Sequence, residues 1–381
     1  MCSNCGYVMK LKLCCLSCFF SPELYNPPPE LVRKLCGEEG NLRIFSLQEV
    51  KLATQNFSSA NKVGEGGFGS VYKGRLQDGS VVAVKVLSVE VESMRGEREF
   101  VSELSALSNL RHDNLVILQG CCVEGSDRYL VYEYMENNSL THTLLGNEQN
   151  RMKFSWEARR HVSVGVARGI AYLHEEVKPH VLQRDIKASN ILLDDHFTPK
   201  VSDFGLSTRT LRDNSSYVST RVAGTLGYLA PECAVSGHLT CKSDVYGYGV
   251  LLVEIISGRS VVDFDVELGE HYLVQKAWSN FRAKKLLQIV DPALNMNYPE
   301  EEATRLLKIS LLCVQETAKR RPTMSTVVQI LSNEIELESY EISEPGHLSD
   351  LMGIRLHKRY TSQTSSSKSS TTTSLQSTAH F

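Results

Sequence analysis

Four polar residues in the middle of the chain have types and spacing that could do chemistry together. They are Asp185, Lys187, Asn190 and Asp203. The apolar run Ile191-Leu192-Leu193 and the pair Lys200-Val201 are expected to form a hairpin, which would bring Asp203 back beside Asn190. A carboxylate and an amide oxygen placed together suit a hard divalent cation, so we predict Asn190 and Asp203 as ligands of such a metal ion.

The other two residues of this set suit the transfer of a phosphoryl group. Asp185 could accept the proton of an attacking hydroxyl, while Lys187 could offset negative charge on the group in transit. Such transfer depends mainly on positioning the reactants and neutralising charge. We therefore predict Asp185 and Lys187 as catalytic residues of the loop over 183–190, which we call the catalytic loop.

A glycine-rich segment upstream is the second element that this chemistry requires. Its residues are Val63, Gly64, Glu65, Gly66, Gly67, Phe68, Gly69 and, after Ser70, Val71. Strand-forming residues flank the glycines on both sides, which excludes a Rossmann fingerprint, and no Gly-Lys-Ser/Thr follows, which excludes a Walker A loop. Two interpretations remain: a plain glycine-rich turn, or a flexible hairpin whose backbone approaches phosphates. Lys85 downstream favours the second.

Lys85 ends an apolar strand and would be costly to bury without a partner. We predict Glu103 as that partner, because it borders the apolar stripe of a helical stretch over 98–107. Glu97 and Glu99 are rejected, since they lie a turn earlier and away from this stripe, where we expect a solvated face.

A buried strand over 130–135 is predicted to run into a short connector. Backbone groups from Glu133 to Met135 could bond to the edge of an adenine, and the bulky Tyr132 would narrow any pocket behind the base. Ala83 is also assigned to the nucleotide site.

A hydroxyl-rich segment between Asp203 and Glu232 is a candidate for regulation. Arg184 could pair with a phosphate added there, so Ser219 and Thr220 are predicted regulatory positions. Thr225 is expected to shape a substrate platform beside the catalytic residues.

Two further elements are predicted to be structural. Asp244 follows Ser243 at the predicted start of an apolar helix over 245–256, and we expect it also to brace the backbone of the catalytic loop. Arg321 is the expected buried partner of Glu232.

Together these segments resemble the plant receptor-like kinase family, in its membrane-associated cytoplasmic branch without an ectodomain. The resemblance extends from about residue 57 to about residue 331 and is carried by RDIKASNILLD, KVSDFGLS, GTLGYLAPE, KSDVYGYGVLLVEIISGR and RRPTMSTVV. It implies an α+β, bilobal eukaryotic protein kinase fold with a small β-rich N-lobe and a larger helical C-lobe. It also implies ATP with Mg²⁺, protein substrates modified on Ser or Thr, and an upstream receptor kinase.

Gln183 departs from the family pattern, which has His at this position. In the family this His packs under the residue that matches Phe204 and helps to hold the active arrangement. A buried Gln must find hydrogen bonds for its amide. An active serine/threonine kinase is the favoured interpretation, and a weakly active or inactive pseudokinase that binds nucleotide is the alternative.

Composition narrows the possible partners and compartments. Among the 381 residues, 41 Lys and Arg nearly balance 44 Asp and Glu, which gives no reason to expect nucleic-acid binding. His161, His174 and His180 show no Cys or carboxylate partner that would suggest a metal and are expected to be structural. Neither an apolar run that could cross a bilayer nor a secretory signal is apparent, so we expect an intracellular protein.

Five of the 11 cysteines crowd into the first eighteen residues: Cys2, Cys5, Cys14, Cys15 and Cys18. S-acylation at a membrane surface is the favoured interpretation, because basic and apolar residues surround the thiols. A zinc site and an unordered leader are the alternatives. Myristoylation is excluded, because position 2 is not Gly. We therefore expect a cytoplasmic protein, peripheral at the plasma membrane.

The predicted organisation has three parts. Residues 1–29 form the leader and a proline spacer, and residues 57–335 form the kinase domain, divided near residue 135 into its lobes. Residues 336–381 form a tail that is Ser/Thr-rich and predicted to be disordered from about residue 361.

Overall fold

The structure is a computed structural model that describes residues 42–66, 69–87, 95–146, 148–152, 154–210, 218–219, 222–261 and 273–346. The described residues form two compact units. The first unit contains residues from 42–111, 116–135 and 203–205, and the second contains residues from 112–115, 136–202 and 206–346.

A six-stranded sheet is the framework of the first unit. Its strands are β1 (Arg43–Ile44), β2 (Lys62–Gly66), β3 (Gly69–Arg75), β4 (Val81–Leu87), β5 (Leu118–Glu124) and β6 (Asp127–Glu133). They lie in the order β1-β5-β6-β4-β3-β2, and only the β1–β5 pair is parallel. Two helices accompany the sheet, α1 (Leu47–Ala53) and α2 (Arg95–Leu107).

The segment before residue 57 is an integral part of the first unit. Phe45 and Val50 are buried and pack with Val82, Val84 and other side chains of the sheet. Helix α1 begins after Ser46, whose hydroxyl accepts a hydrogen bond from the N–H of Glu49 (3.2 Å) in a capping box.

Strand β1 approaches β5 closely at a glycine. A Cβ on Gly120 would lie 1.9 Å from the carbonyl oxygen of Arg43 and 2.8 Å from the ring of Phe45. Glycine is therefore required for the parallel pairing of Arg43 with Gly120.

The second unit is mainly helical. Its helices are α3 (Leu140–Thr143), α4 (Glu148–Met152), α5 (Trp156–Ala171), α6 (Pro231–Ser236), α7 (Cys241–Ser257), α8 (Leu273–Arg282), α9 (Glu300–Cys313) and α10 (Met324–Leu331). Three small antiparallel pairs complete it: β7 (His180–Leu182) with β10 (Thr208–Thr210), β8 (Ile191–Leu193) with β9 (Pro199–Val201), and β11 (Val218–Ser219) with β12 (His238–Leu239). The α+β class, with a β-rich N-lobe and a helical C-lobe, is confirmed.

Helix α7 is the central helix of the second unit, because all its residues except Lys242 are buried. The predicted start at residue 245 was wrong. The helix begins at Cys241, and its N-cap is Thr240, whose hydroxyl accepts from the N–H of Lys242 (3.1 Å). Ser243 in turn accepts from the N–H of Thr240 (3.2 Å), so it completes the cap from within the first turn.

None of the helices in the described ranges is long and apolar enough to cross a membrane. The first part of the predicted tail packs on the second unit, where Leu337 is buried and the N–H of Ser343 donates to Gln315 (2.9 Å). The cysteine-rich leader and the Ser/Thr-rich end of the tail lie outside the described residues.

Candidate active site

The carboxylate of Asp185 is buried in the second unit and held by two neighbours. Its Oδ1 accepts from the hydroxyl of Thr225 (2.7 Å), and its Oδ2 lies 2.7 Å from the Nζ of Lys187. Lys187 also donates to Thr225 (2.8 Å), which closes a triangle of three side chains. This arrangement fixes an acceptor for a proton beside a positive charge.

Asn190 lies at the end of a 3₁₀ turn that leads from the catalytic loop into β8. Its Nδ2 donates to the carbonyl and the carboxylate of Asp185, at 2.9 and 3.2 Å. The amide oxygen accepts from the hydroxyl of Ser189 (3.4 Å), and an oxygen of this type is a suitable donor to a hard cation. The predicted hairpin after Asn190 is present, with Ile191 opposite Val201.

Asp244 holds the start of the catalytic loop. Its carboxylate accepts from the N–H groups of Gln183 and Arg184, both at 2.8 Å. Arg184 has φ +73°, a left-handed conformation that is uncommon for a non-glycine residue, and Asp244 helps to hold it there. The Nε2 of His174 also lies 2.8 Å from Asp244, a contact that fits the structural role expected for this histidine and that the sequence did not show.

Lys85 is the centre of a buried charge cluster in the first unit. Its Nζ bonds to Glu103 and lies 3.1 Å from the Oδ1 of Asp203. Burial alone would lower the pKa of Lys85, but the two carboxylates outweigh this effect and raise the pKa above its ordinary value. The ammonium group therefore stays charged.

The hydroxyl of Tyr132 donates to the second oxygen of Glu103. Burial and this carboxylate raise the pKa of Tyr132 well above its ordinary value, so the hydroxyl remains a donor. Sequence reasoning predicted only the bulk of Tyr132, because nothing in its local pattern shows that it faces α2.

The family model for protein tyrosine and serine/threonine kinases matches residues 57–331. The chain belongs to the protein kinase family. This kinase is 52% identical over 318 residues to Cold-responsive protein kinase 1 of Arabidopsis thaliana, across 83% of the chain and 81% of that protein. It is 60% identical over 246 residues to a putative serine/threonine-protein kinase of Helianthus annuus, across 64% of the chain and 100% of that protein.

Receptor-like kinases are also among the relatives. One probable LRR receptor-like serine/threonine-protein kinase of Arabidopsis thaliana is 47% identical over 301 residues, which are 78% of this chain and 31% of that protein. The resemblance to the plant receptor-like kinase family is thereby confirmed, and the chain is a protein serine/threonine kinase.

The glycine-rich hairpin of the kinase is formed by β2 and β3. Val63, Gly64, Glu65 and Gly66 lie on β2, and Gly69 and Val71 lie on β3. Gly69 has φ +124°, and a Cβ there would lie 1.9 Å from the carbonyl oxygen of Val86, so only glycine fits. Gly67 and Phe68 lie outside the described residues.

The predicted adenine-binding residues lie where β6 ends. Ala83 on β4 is opposite Tyr132, and Met135 follows β6 and is buried. The N–H of Glu133 donates to the carbonyl of Ile117 (3.1 Å).

Glu97 and Glu99 are both buried, so the predicted solvated face of α2 was wrong. The Oε2 of Glu97 lies 2.8 Å from the Nε of Arg128 at the start of β6. Arg128 is only 2% exposed, and its guanidinium also lies near the ring of Phe100, 5.9 Å from its centroid. The first turn of α2 is therefore held against β6 by a cation that lies far away in sequence.

The structure describes some of the predicted regulatory residues but not all of them. The guanidinium of Arg184 donates to the carbonyl of Leu206 (3.1 Å) and the hydroxyl of Thr208 (3.3 Å), and burial lowers the pKa of Arg184. Ser219 lies on β11, whereas Thr220 lies outside the described residues. The predicted pair of Glu232 and Arg321 is present.

Proposed function

We propose that this kinase is catalytically active and transfers the γ-phosphate of ATP to Ser or Thr hydroxyls of protein substrates. The observation that carries the proposal is the Asp185 carboxylate, fixed by Thr225 and Lys187 at 2.7 Å each. The acceptor hydroxyl loses its proton to Asp185 while its oxygen bonds to the γ-phosphorus. The bond from this phosphorus to the bridging oxygen breaks, and ADP leaves.

Lys85 supports the nucleotide part of the proposal. Its charged Nζ, held by Glu103 and Asp203, suits contact with the phosphates of ATP, and the glycine hairpin lets the backbone approach them. Glu133 and Met135 are proposed to bind the adenine.

Asn190 and Asp203 are the proposed ligands of a divalent cation on the chemistry of their side chains, since one supplies an amide oxygen and the other a carboxylate. These are hard oxygen donors, as Mg²⁺ or Mn²⁺ requires. A metal bound there would neutralise phosphate charge.

A phosphate-transfer assay with Asp185→Asn tests the proposal. Wild-type protein is expected to label itself or a generic protein substrate on Ser and Thr, and Asp185→Asn is expected to lose this activity while it still binds an ATP analogue. Equal background from both proteins, with analogue binding intact, would make the chain a nucleotide-binding scaffold.

We further propose that the kinase acts peripherally on the cytoplasmic face of the plasma membrane, anchored by acyl chains on the leader cysteines and controlled by a receptor kinase. One acyl chain gives only marginal binding, so two or more would be needed. Relatives with receptor-like names share the kinase domain of this chain. Replacement of all five leader cysteines by Ser should move the protein from the membrane to the soluble fraction; an unchanged distribution would contradict the anchor.

Phosphorylation of Ser219 or Thr220 is the proposed activating step. The guanidinium of Arg184 bonds to neutral oxygens on Leu206 and Thr208, and a phosphate would be a stronger acceptor for it. Loss of activity after phosphatase treatment, together with loss of activity in Ser219→Ala or Thr220→Ala, would support this step.

A further inference from the structure

Gln183 lies at the start of the catalytic loop, and its side chain is fully buried. Both the oxygen and the nitrogen of its side-chain amide form hydrogen bonds. The Oε1 accepts from the N–H of Asp185 (2.7 Å), and the Nε2 donates to the carbonyl of Ser202 (3.0 Å). The residue that departs from the family pattern is therefore fully engaged, and with backbone groups.

These two bonds belong to a closed ring of hydrogen bonds. Around the ring, Asp185 N donates to Gln183 Oε1 (2.7 Å), Gln183 Nε2 to Ser202 O (3.0 Å), Ser202 N to Asn190 O (2.9 Å), and Asn190 Nδ2 to Asp185 O (2.9 Å). Ser202 adds a second bond to the same side of the ring, from its hydroxyl to the Asn190 carbonyl (2.9 Å). The ring joins Asp185, the proposed base, to Asn190, a proposed metal ligand. It also includes Ser202, which directly precedes Asp203, the second proposed ligand.

We propose that Gln183 is a positioning residue for phosphoryl transfer, which acts by fixing the backbone at Asp185 and at Ser202. The inference rests on the proposed function. The two side-chain hydrogen bonds of Gln183 go to backbone groups and act on the reacting carboxylate only through the backbone. Its substitution for the family His therefore preserves the catalytic geometry and does not mark an inactive kinase.

The chemistry of the ring explains which side chains can replace Gln183. The position needs one donor and one acceptor, because it faces a backbone N–H and a backbone carbonyl. An ionised Glu offers acceptors only, and Met offers neither group in useful strength. A neutral His offers one N–H and one ring nitrogen with a lone pair, so it meets the same requirement.

The test compares Gln183→Glu, Gln183→Met and Gln183→His with wild-type protein in full-length form. For each we would measure kcat, the KM for ATP and the midpoint of thermal unfolding. Gln183→Glu and Gln183→Met should lower kcat by about tenfold or more, because each loses at least one buried hydrogen bond that orients Asp185 or Ser202. The KM for ATP should change less, and Gln183→His should keep kcat within about threefold of wild type.

A kcat close to that of wild type for Gln183→Met, or for Gln183→Glu at a pH where its carboxyl is ionised, would overturn the inference. A Gln183→His protein that is as slow as Gln183→Met at equal thermal stability would also overturn it. If Gln183→Glu and Gln183→Met both failed to fold, the amide would be a general stability element, and the inference would again be overturned. Inactive wild-type protein would instead refute the proposed function, and the inference with it. Slow Gln183→Glu and Gln183→Met proteins that still unfold cooperatively, beside an active Gln183→His, support it.

Discussion

The guanidinium of Arg321 bonds to both oxygens of the Glu232 carboxylate, with nitrogen–oxygen distances of 2.8 and 2.9 Å. Arg321 is only 1% exposed. Its remaining N–H groups donate to the backbone carbonyls of Gln315, Lys242 and Glu316, at 2.7, 3.0 and 3.0 Å. One side chain thus ties the first turn of α6 to α7 and to the segment after α9.

Substitution of Arg321 should therefore affect stability and leave nucleotide binding intact. Arg321→Met leaves a carboxylate and three carbonyls without their donor, and should lower the free energy of unfolding by about 3–5 kcal/mol. Thermal unfolding measures this loss, and Arg320→Met, at the exposed neighbouring position, is the matched control. Weaker binding of an ATP analogue by Arg321→Met at an unchanged unfolding midpoint would contradict the structural role.

Lys85 is expected to be needed for activity, because it is the cation shared by Glu103 and Asp203. Lys85→Met should reduce phosphoryl transfer by about a hundredfold or more, as for the loss of other charge-stabilising donors. The control is Lys73→Met on the neighbouring strand β3, where the Nζ lies 4.4 Å from the centroid of the Tyr134 ring. Equal rates of phosphoryl transfer for Lys85→Met and Lys73→Met would show that Lys85 is not part of the active site.

The buried thiols should resist alkylation at neutral pH. Burial raises the pKa of Cys122 and Cys233 to about 11, and that of Cys241 and Cys313 to about 12. Because these values exceed the ordinary 9.0, the thiols stabilise the fold below pH 9 and lose this contribution as the pH rises toward 12. Mass spectrometry after maleimide treatment should find these four unmodified in the folded protein and modified in urea. Equal labelling in both states would disprove their burial.

A side chain at Gly120 should loosen β1 from the sheet. Gly120→Ala places a methyl group against the Arg43 carbonyl and the Phe45 ring, and should cost about 1–3 kcal/mol of folding free energy. Gly66→Ala, where a Cβ would meet nothing within 4 Å, is the control for stability. Denaturant unfolding that gives the same midpoint for both variants would contradict the close approach.

Contacts within a motif, or between motifs of known order, could be predicted from the sequence. The pairing of Lys85 with Glu103 follows from a cation in an apolar strand and a helix with an acid at the edge of its apolar stripe, although β4 continues to Leu87 beyond the predicted end at Lys85. The β8–β9 hairpin follows from strand-forming residues on both sides of a turn.

Contacts made by single residues from distant elements could not be predicted. Helical periodicity placed Glu97 on a solvated face, yet Arg128 at the start of β6 provides a buried partner for it. In the same way, tertiary packing creates the hydrogen bond of the Tyr132 hydroxyl to Glu103 and the contact of His174 with Asp244. At the start of α7, the sequence pattern indicated Ser243 and Asp244, whereas the backbone geometry makes Thr240 the N-cap.

The position of β1 in the sheet determines how mechanical load would enter the kinase. Strand β1 is the first described strand after the leader and occupies the edge of the sheet opposite to β2. A pull on the chain upstream of residue 42 would strain the β1–β5 ladder and the Phe45 anchor before any other strand. The glycine-rich hairpin contains β2, at the opposite edge of the sheet, and would be the last part of the sheet to be strained.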